Sequence, residues 1–255
     1  MLIKQIFMEV HHHPDMEHKP KHFKEYFLEF VMIFLAVTMG FIAESIREHY
    51  TDRSREREYI ERFISNVETD TASLASVLTF DRQQLKGIDS FLLLAHAPMA
   101  DNNNRKEFYS LFMKYLYTSA TFKSSDATLQ QLKNTGDYRL IIRDHAADSL
   151  AQYDSDINGI YTEGALYEAY FKEIISRLDE LTDMTVFTDT TYFKGGKWTG
   201  KRLPPLNDPD KLRILFNKVF DFRIITNAYA EDSLAPELEK ATRLIAFLKK
   251  EYNIK

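Results

Sequence analysis

The sequence predicts an all-α protein: a single N-terminal transmembrane helix that continues into a charged stalk and an antiparallel helical bundle, with one candidate β-hairpin near residues 186–199. Three observations predict it. One uninterrupted apolar run lies near the N-terminus, apolar residues recur at alternating steps of three and four through most of the remainder, and strand-like alternation is confined to one short segment. The expected organisation is a His-rich leader over 1–22, a transmembrane helix over 23–46, a stalk over 47–59 and a bundle over 60–255.

The apolar run is Tyr26–Ala43, YFLEFVMIFLAVTMGFIA, with Glu29 as its single charge. Crossing the hydrocarbon core takes about 20 such residues, and the apolar flanks Phe23 and Ile46 complete the length. A buried core helix would carry a polar stripe, whereas here the polar residues stop at Glu29 and resume at Glu44. The run exceeds the ~7–15 residues of a cleavable signal, and Phe41-Ile42-Ala43 lacks the small residue that signal peptidase requires two places before the cut. An uncleaved signal anchor is therefore expected. The positive-inside count does not decide orientation, with Lys19, Lys21 and Lys24 on one side and Arg47, Arg53, Arg55 and Arg57 on the other. A short leader before a first apolar helix places the N-terminus in the cytoplasm and the large C-terminal part outside. Around the helix, Phe23, Phe27, Phe30, Phe34, Val37 and Phe41 form a bulky face; Glu29, Ile33, Ala36, Gly40 and Ala43 form a second. Small residues at that spacing permit close approach of another helix, which makes Glu29, Ala36, Gly40 and Ala43 candidates for helix association. The competing reading is that Glu29 simply reaches water one turn inside the interface.

After the anchor no proline occurs from Glu44 to Ala97. The stretch ESIREHYTDRSREREYIER carries opposite charges at i, i+4, including Arg57 with Glu61 and Glu58 with Arg62, as a solvated stalk would. From Ile60 the periodic positions are Ile60, Phe63, Val67, Leu74, Val77, Leu85, Ile88, Leu92 and Ala95, with polar breaks near Asp70 and Asp81. Pro98 and the Asn102–Asn104 cluster predict a loop, followed by a short aromatic helix over 106–117. Ser125-Asp126 caps ATLQQLKNT, and Gly136 closes it. The clearest pattern runs through Leu150, Tyr153, Ile157, Ile160, Gly164, Tyr167, Phe171, Ile174, Leu178 and Leu181, a long helix expected to pack nearly antiparallel to its neighbours, with Gly164 at a close crossing. Alternation around Gly195-Gly196 gives the hairpin candidate. Pro209 opens the next helix, Pro236 is expected to break or kink it near Ser233, and Leu238, Ala241, Ile245 and Leu248 form the last apolar face.

Composition narrows the function. Of 255 residues 44% are hydrophobic and 28% charged, which is globular rather than disordered. Lys+Arg 33 against Asp+Glu 38, a net charge of -5, offers nucleic acid no electrostatic footprint. The absence of cysteine removes disulfides, thiolate nucleophiles and Cys-ligated metals. His11, His12, His13, His18 and His22, with Asp15 and Glu17 nearby, could hold a divalent metal weakly through imidazole nitrogens; alternatively the leader lays its lysines near anionic lipid. No HExxH, GxSxG or GxxxxGK[ST] occurs, and KGGKWTGKR lacks the spacing of a phosphate loop. Asp154/Asp156 and Asp208/Asp210 are better read as structural than as a catalytic pair, because i, i+2 positions leave a helix on different faces. No catalytic residue and no cofactor is assigned.

Two segments, HHHPDMEHKPKHFKEYFLEFVMIFLAVTMGFIAESIREHYTDRSREREYI (11–60) and SDATLQQLKNTGDYRLI (125–141), resemble an uncharacterised family of bacterial single-pass membrane proteins with a His-rich leader, a signal anchor and a C-terminal helical domain. The resemblance implies an inner-membrane location and an all-helical domain, and brings no activity or functional residue with it. The reading that follows is a non-enzymatic, membrane-anchored interaction or scaffold domain of the cell envelope, contacting the lipid bilayer and either a protein partner or a second copy. Its rivals are an extracytoplasmic sensory or small-ligand-binding bundle acting through a partner, and a metal-binding protein using the leader.

Overall fold

The computed structural model describes residues 23–185, 193–194, 197–198 and 203–255. Its elements are almost all helical: α1 (Phe23–Leu92), α2 (Asn102–Leu111), α3 (Ala127–Thr135), α4 (Asp144–Leu181), α5 (Pro209–Asn227) and α6 (Ala235–Glu251). Two-residue strands β1 (Phe193–Lys194) and β2 (Lys197–Trp198) pair antiparallel between α4 and α5, Phe193 with Trp198 and Lys194 with Lys197. The rest of the segment expected to form a hairpin lies outside the described residues. The chain divides into two compact units, Met1–Arg53 and Ser54–Lys255, and α1 contributes to both. The division falls inside the expected stalk.

In the first unit α1 is long and apolar enough to cross a membrane, and none of its apolar window is buried by protein. At 1.5 Å per residue, Tyr26–Ala43 spans roughly 27 Å, close to the hydrocarbon thickness.

In the second unit α1 presents a strict heptad seam. Glu56, Ile60, Phe63, Val67, Asp70, Leu74, Val77, Asp81, Gln84, Ile88 and Phe91 alternate steps of four and three, and every one is buried. This corrects the sequence reading at both ends. Glu56, expected on a wet stalk, is 2% exposed. Asp70 and Asp81 are members of the seam rather than breaks in it, and Leu85, Leu92 and Ala95 yield their places to Gln84 and Phe91. A 3.5-residue repeat keeps one stripe facing its partners regardless of polarity, so a polar residue in register is carried inside.

The seam of α4 follows the predicted one, with Leu150, Tyr153, Ile157, Ile160, Gly164, Tyr167, Ile174 and Leu178 buried and Phe171 and Leu181 half-buried against the core. Its direction relative to α1 does not. Asp70 meets Tyr153 and Gln84 meets Tyr167, so α1 and α4 run parallel. A parallel pair needs a crossover, and residues 93–143, with α2 and α3, supply it. The antiparallel partner of both is the α5–α6 segment: Arg82 pairs with Glu231 and Glu68 with Lys249 along α1, while Glu180 O accepts from Lys211 Nζ and Asp156 from Lys240 along α4. One continuous core results, with Phe91, Phe108, Phe112 and Phe216 clustered at one end.

Local signals explain several boundaries, although the cap expected from Ser125-Asp126 is not one of them, since Asp126 makes no capping hydrogen bond at the start of α3. Asp101 caps α2 by accepting from the Asn103 and Asn104 amides, which draws the asparagine cluster into the first turn instead of leaving it as loop. Gly136 closes α3 at φ 72, in the left-handed region that favours glycine. Asp208 accepts from the Lys211 amide with Pro209 behind it. Pro236, expected to break its helix, does not: residues Ala228–Leu234 widen into a π-turn and α6 continues. The wider turn keeps the proline ring off the carbonyl one turn back and accommodates its missing N–H.

Candidate functional site

Three places in the fold bear on function, and the candidate association face of the anchor is the first. Glu29, Ala36, Gly40 and Ala43 stand at steps of seven, four and three on one stripe of α1. Glu29 is half-buried and the other three are exposed. A Cβ added at Gly40 would meet nothing within 4 Å, so the stripe is open along its centre. On the bulky face Phe30 and Phe34 stack with centroids 6.2 Å apart, and Thr38 returns its hydroxyl to the Phe34 carbonyl at 2.7 Å, so it presents no spare donor to lipid. Such a surface performs no bond chemistry; it suits contact with lipid or with another helix.

The second place is the polar set in the α1 seam. Asp70, 1% exposed, accepts from Ser124 Oγ at 2.5 Å, the Ser125 amide at 2.6 Å and Tyr153 Oη at 2.6 Å. Gln84 donates to the Tyr115 and Thr118 carbonyls, each at 2.8 Å, and accepts from Tyr167 Oη at 2.9 Å. Glu56 accepts from Tyr252 Oη at 2.8 Å and the Ile142 amide at 3.2 Å. Each therefore fastens irregular chain or a tyrosine to α1, and partly buried backbone groups of the crossover find partners here. Burial, reinforced by the carboxylate it serves, raises Tyr153 well above an ordinary phenol. Asp81 differs: it is fully buried, neither oxygen has a hydrogen-bond partner, and burial pushes its pKa up to about 8.

The third place is a cleft of about 290 Å3 between α4 and α6, bordered by Tyr153, Asp156, Glu237, Lys240, Leu244 and Phe247 among others. Glu237 is 2% exposed and its Oε1 has no partner. Burial foremost, and the neighbouring Asp156 charge second, lift its pKa to about 7 against the opposing pull of Lys240.

Of the residues singled out in the sequence, His11, His12, His13, His18 and His22 lie outside the described residues. Among the described residues no group of three His, Asp or Glu side chains is placed to hold a metal ion. Asp154 and Asp156 turn to separate partners, Lys133 at 2.6 Å and Lys240 at 3.0 Å, and Asp208 is a helix cap. Asp81, Gln84 and Glu237 were missed as site residues. Their signal was present: each sits in step with an apolar seam, Glu237 four residues before Ala241. No protein-family model, no curated protein and no solved structure matches the chain.

Proposed function

We propose that this chain is a membrane-anchored, non-enzymatic helical interaction or scaffold domain of the bacterial cell envelope, held in the inner membrane by the N-terminal part of α1. The leader lies in the cytoplasm and the helical bundle, with a small β-hairpin inserted between α4 and α5, lies in the periplasm. One observation carries the reading: from Phe23 to Ile46 every large apolar side chain but the half-buried Val31 is exposed, whereas from Ile60 onward the same helix buries its apolar seam. An apolar surface of that extent calls for lipid or protein around it. The stripe of Glu29, Ala36, Gly40 and Ala43 supports a second copy or an envelope protein as the helix partner, because small residues let backbones close and a carboxyl is best tolerated facing protein.

The test is site-directed crosslinking through the anchor in native membranes at native expression. Ala36→Leu together with Gly40→Leu is expected to reduce the crosslinked species by about fivefold or more, corresponding to roughly 1 kcal/mol of helix packing, while Phe27→Leu on the bulky face leaves it unchanged. Recovery of monomer alone from the parent chain would sink the association reading.

A further inference from the structure

A larger cleft, of about 650 Å3, opens at the other end of the bundle core, where α1 finishes. The chain leaves α1 through a tight 3-10 turn over Leu93–His96 and reaches the α2 cap at Asp101, while α5 starts opposite at Pro209. Ala95, Ala97 and Ala100 line the first wall, and their short side chains leave the space open. Leu212 and Phe216, one turn apart on α5, close the other side. Phe216 belongs to the aromatic cluster, its ring centroid 5.0 Å from that of Phe91 and 6.1 Å from that of Phe108, so the floor of the cleft is part of the packed core.

The polar rim carries one sign of charge. His96, Asn207, Arg213 and Asn217 border the cleft, and no Asp or Glu does. All four side chains are exposed, so a molecule in the cleft reaches them, unlike the sealed oxygen of Glu237. Arg213 stands 3.7 Å from Asp210, but the two side chains are 65% and 85% exposed. An ion pair that open is worth little, which leaves the guanidinium available. Asp208, the other nearby acid, is turned to the Lys211 amide as the cap of α5.

We propose that this cleft binds a compact organic carboxylate, its apolar body against the alanine wall and Leu212 and its head on Arg213, with His96 and the two asparagines as neutral donors. The planar guanidinium matches a carboxylate with two parallel N–H donors. A single fixed positive charge suits a monoanion; a phosphate monoester, with close to two negative charges, would leave one uncompensated. An ammonium ion finds no carboxylate on the rim. The volume lies within the range of roughly 300–1,000 Å3 usual for small-molecule sites.

The experiment is isothermal titration of the full chain in zwitterionic lipid nanodiscs with indole-3-propionate, corrected against empty nanodiscs. Tryptamine and tryptophol keep a similar body and change the head, and acetate keeps the head without the body. Saturable binding of indole-3-propionate, at least tenfold tighter than any of the three, is the expected result. Arg213→Gln is expected to weaken it fivefold or more, and Ala95→Trp, which fills the cleft, tenfold or more. Both positions are exposed, so both variants should melt with the parent chain. Absence of saturation up to about 10 mM, a comparator binding as tightly as the indole carboxylate, or undiminished binding by either variant would each overturn the proposal.

Discussion

Asp81 is the residue whose environment departs furthest from what its chemistry prefers. It sits at a seam position where leucine is the natural occupant, with both oxygens buried and unpartnered and its pKa raised to about 8. The linkage has a definite sign. Between the unfolded value near 4 and the folded value near 8 the native state holds a proton that the unfolded chain has released, so stability falls as pH rises through that window and levels off above it. Asp81→Leu is expected to raise stability by about 1–4 kcal/mol at pH 8, with a smaller gain at pH 5, measured by thermal melting of the full chain in nanodiscs at both values. A gain independent of pH would show that the carboxyl does not titrate as described. The sequence made Asp81 visible only as an interruption. Periodicity scored on hydrophobicity cannot distinguish a polar residue that ends a stripe from one buried within it; that difference lies in partners far along the chain, as with Asp70 and Ser125, 55 residues apart.

Among the elements, α4 was read most faithfully, because its long 3/4 pattern leaves little choice of face, whereas in α1 the same kind of pattern was misread wherever a polar residue occupied the seam. Boundaries drifted where a side chain overrode composition, as Asp101 does for α2, and where a wide turn absorbed a proline, as before Pro236. Glycines show how tightly the elements meet. A Cβ at Gly164 would lie 3.3 Å from the Tyr229 hydroxyl, so the expected close crossing is present. The tightest approach was not anticipated: at Gly87 a Cβ would fall 2.0 Å from Tyr115 Cγ. Tyr115 cannot retreat freely, since its carbonyl accepts from Gln84. Gly87→Ala should therefore lower stability by about 1–3 kcal/mol despite its better helix propensity. Gly159→Ala, in the same kind of helix but with nothing within 4 Å, should raise it by about 0.5–1 kcal/mol. Paired thermal melts decide the matter, and equal effects of the two substitutions would contradict the packing described for α1.

At the scale of the whole molecule, fold class and the apolar span were legible and helix direction was not. Spacing identifies which face of a helix is buried, but the parallel course of α1 and α4 depends on how residues 93–143 carry the chain back, and no local pattern encodes that. The proposed orientation makes its own prediction: a reporter active only outside the cytoplasm, fused after Lys255, is expected to be active, and activity of a cytoplasmic reporter there instead would invert the topology. The polar seam has one further consequence, for the order in which the chain becomes whole. Asp70 and Gln84 each wait for a tyrosine 83 residues later, and Glu56 for one 196 residues later. During synthesis α1 leaves the ribosome before the other helices, with four buried-to-be polar groups and an apolar stripe bare, and nothing local can cover them. Until α4 and Tyr252, at the end of α6, arrive, that helix is a surface open to chaperones, to other nascent chains and to proteases, so the bundle's first helix to be made is the last to be completed.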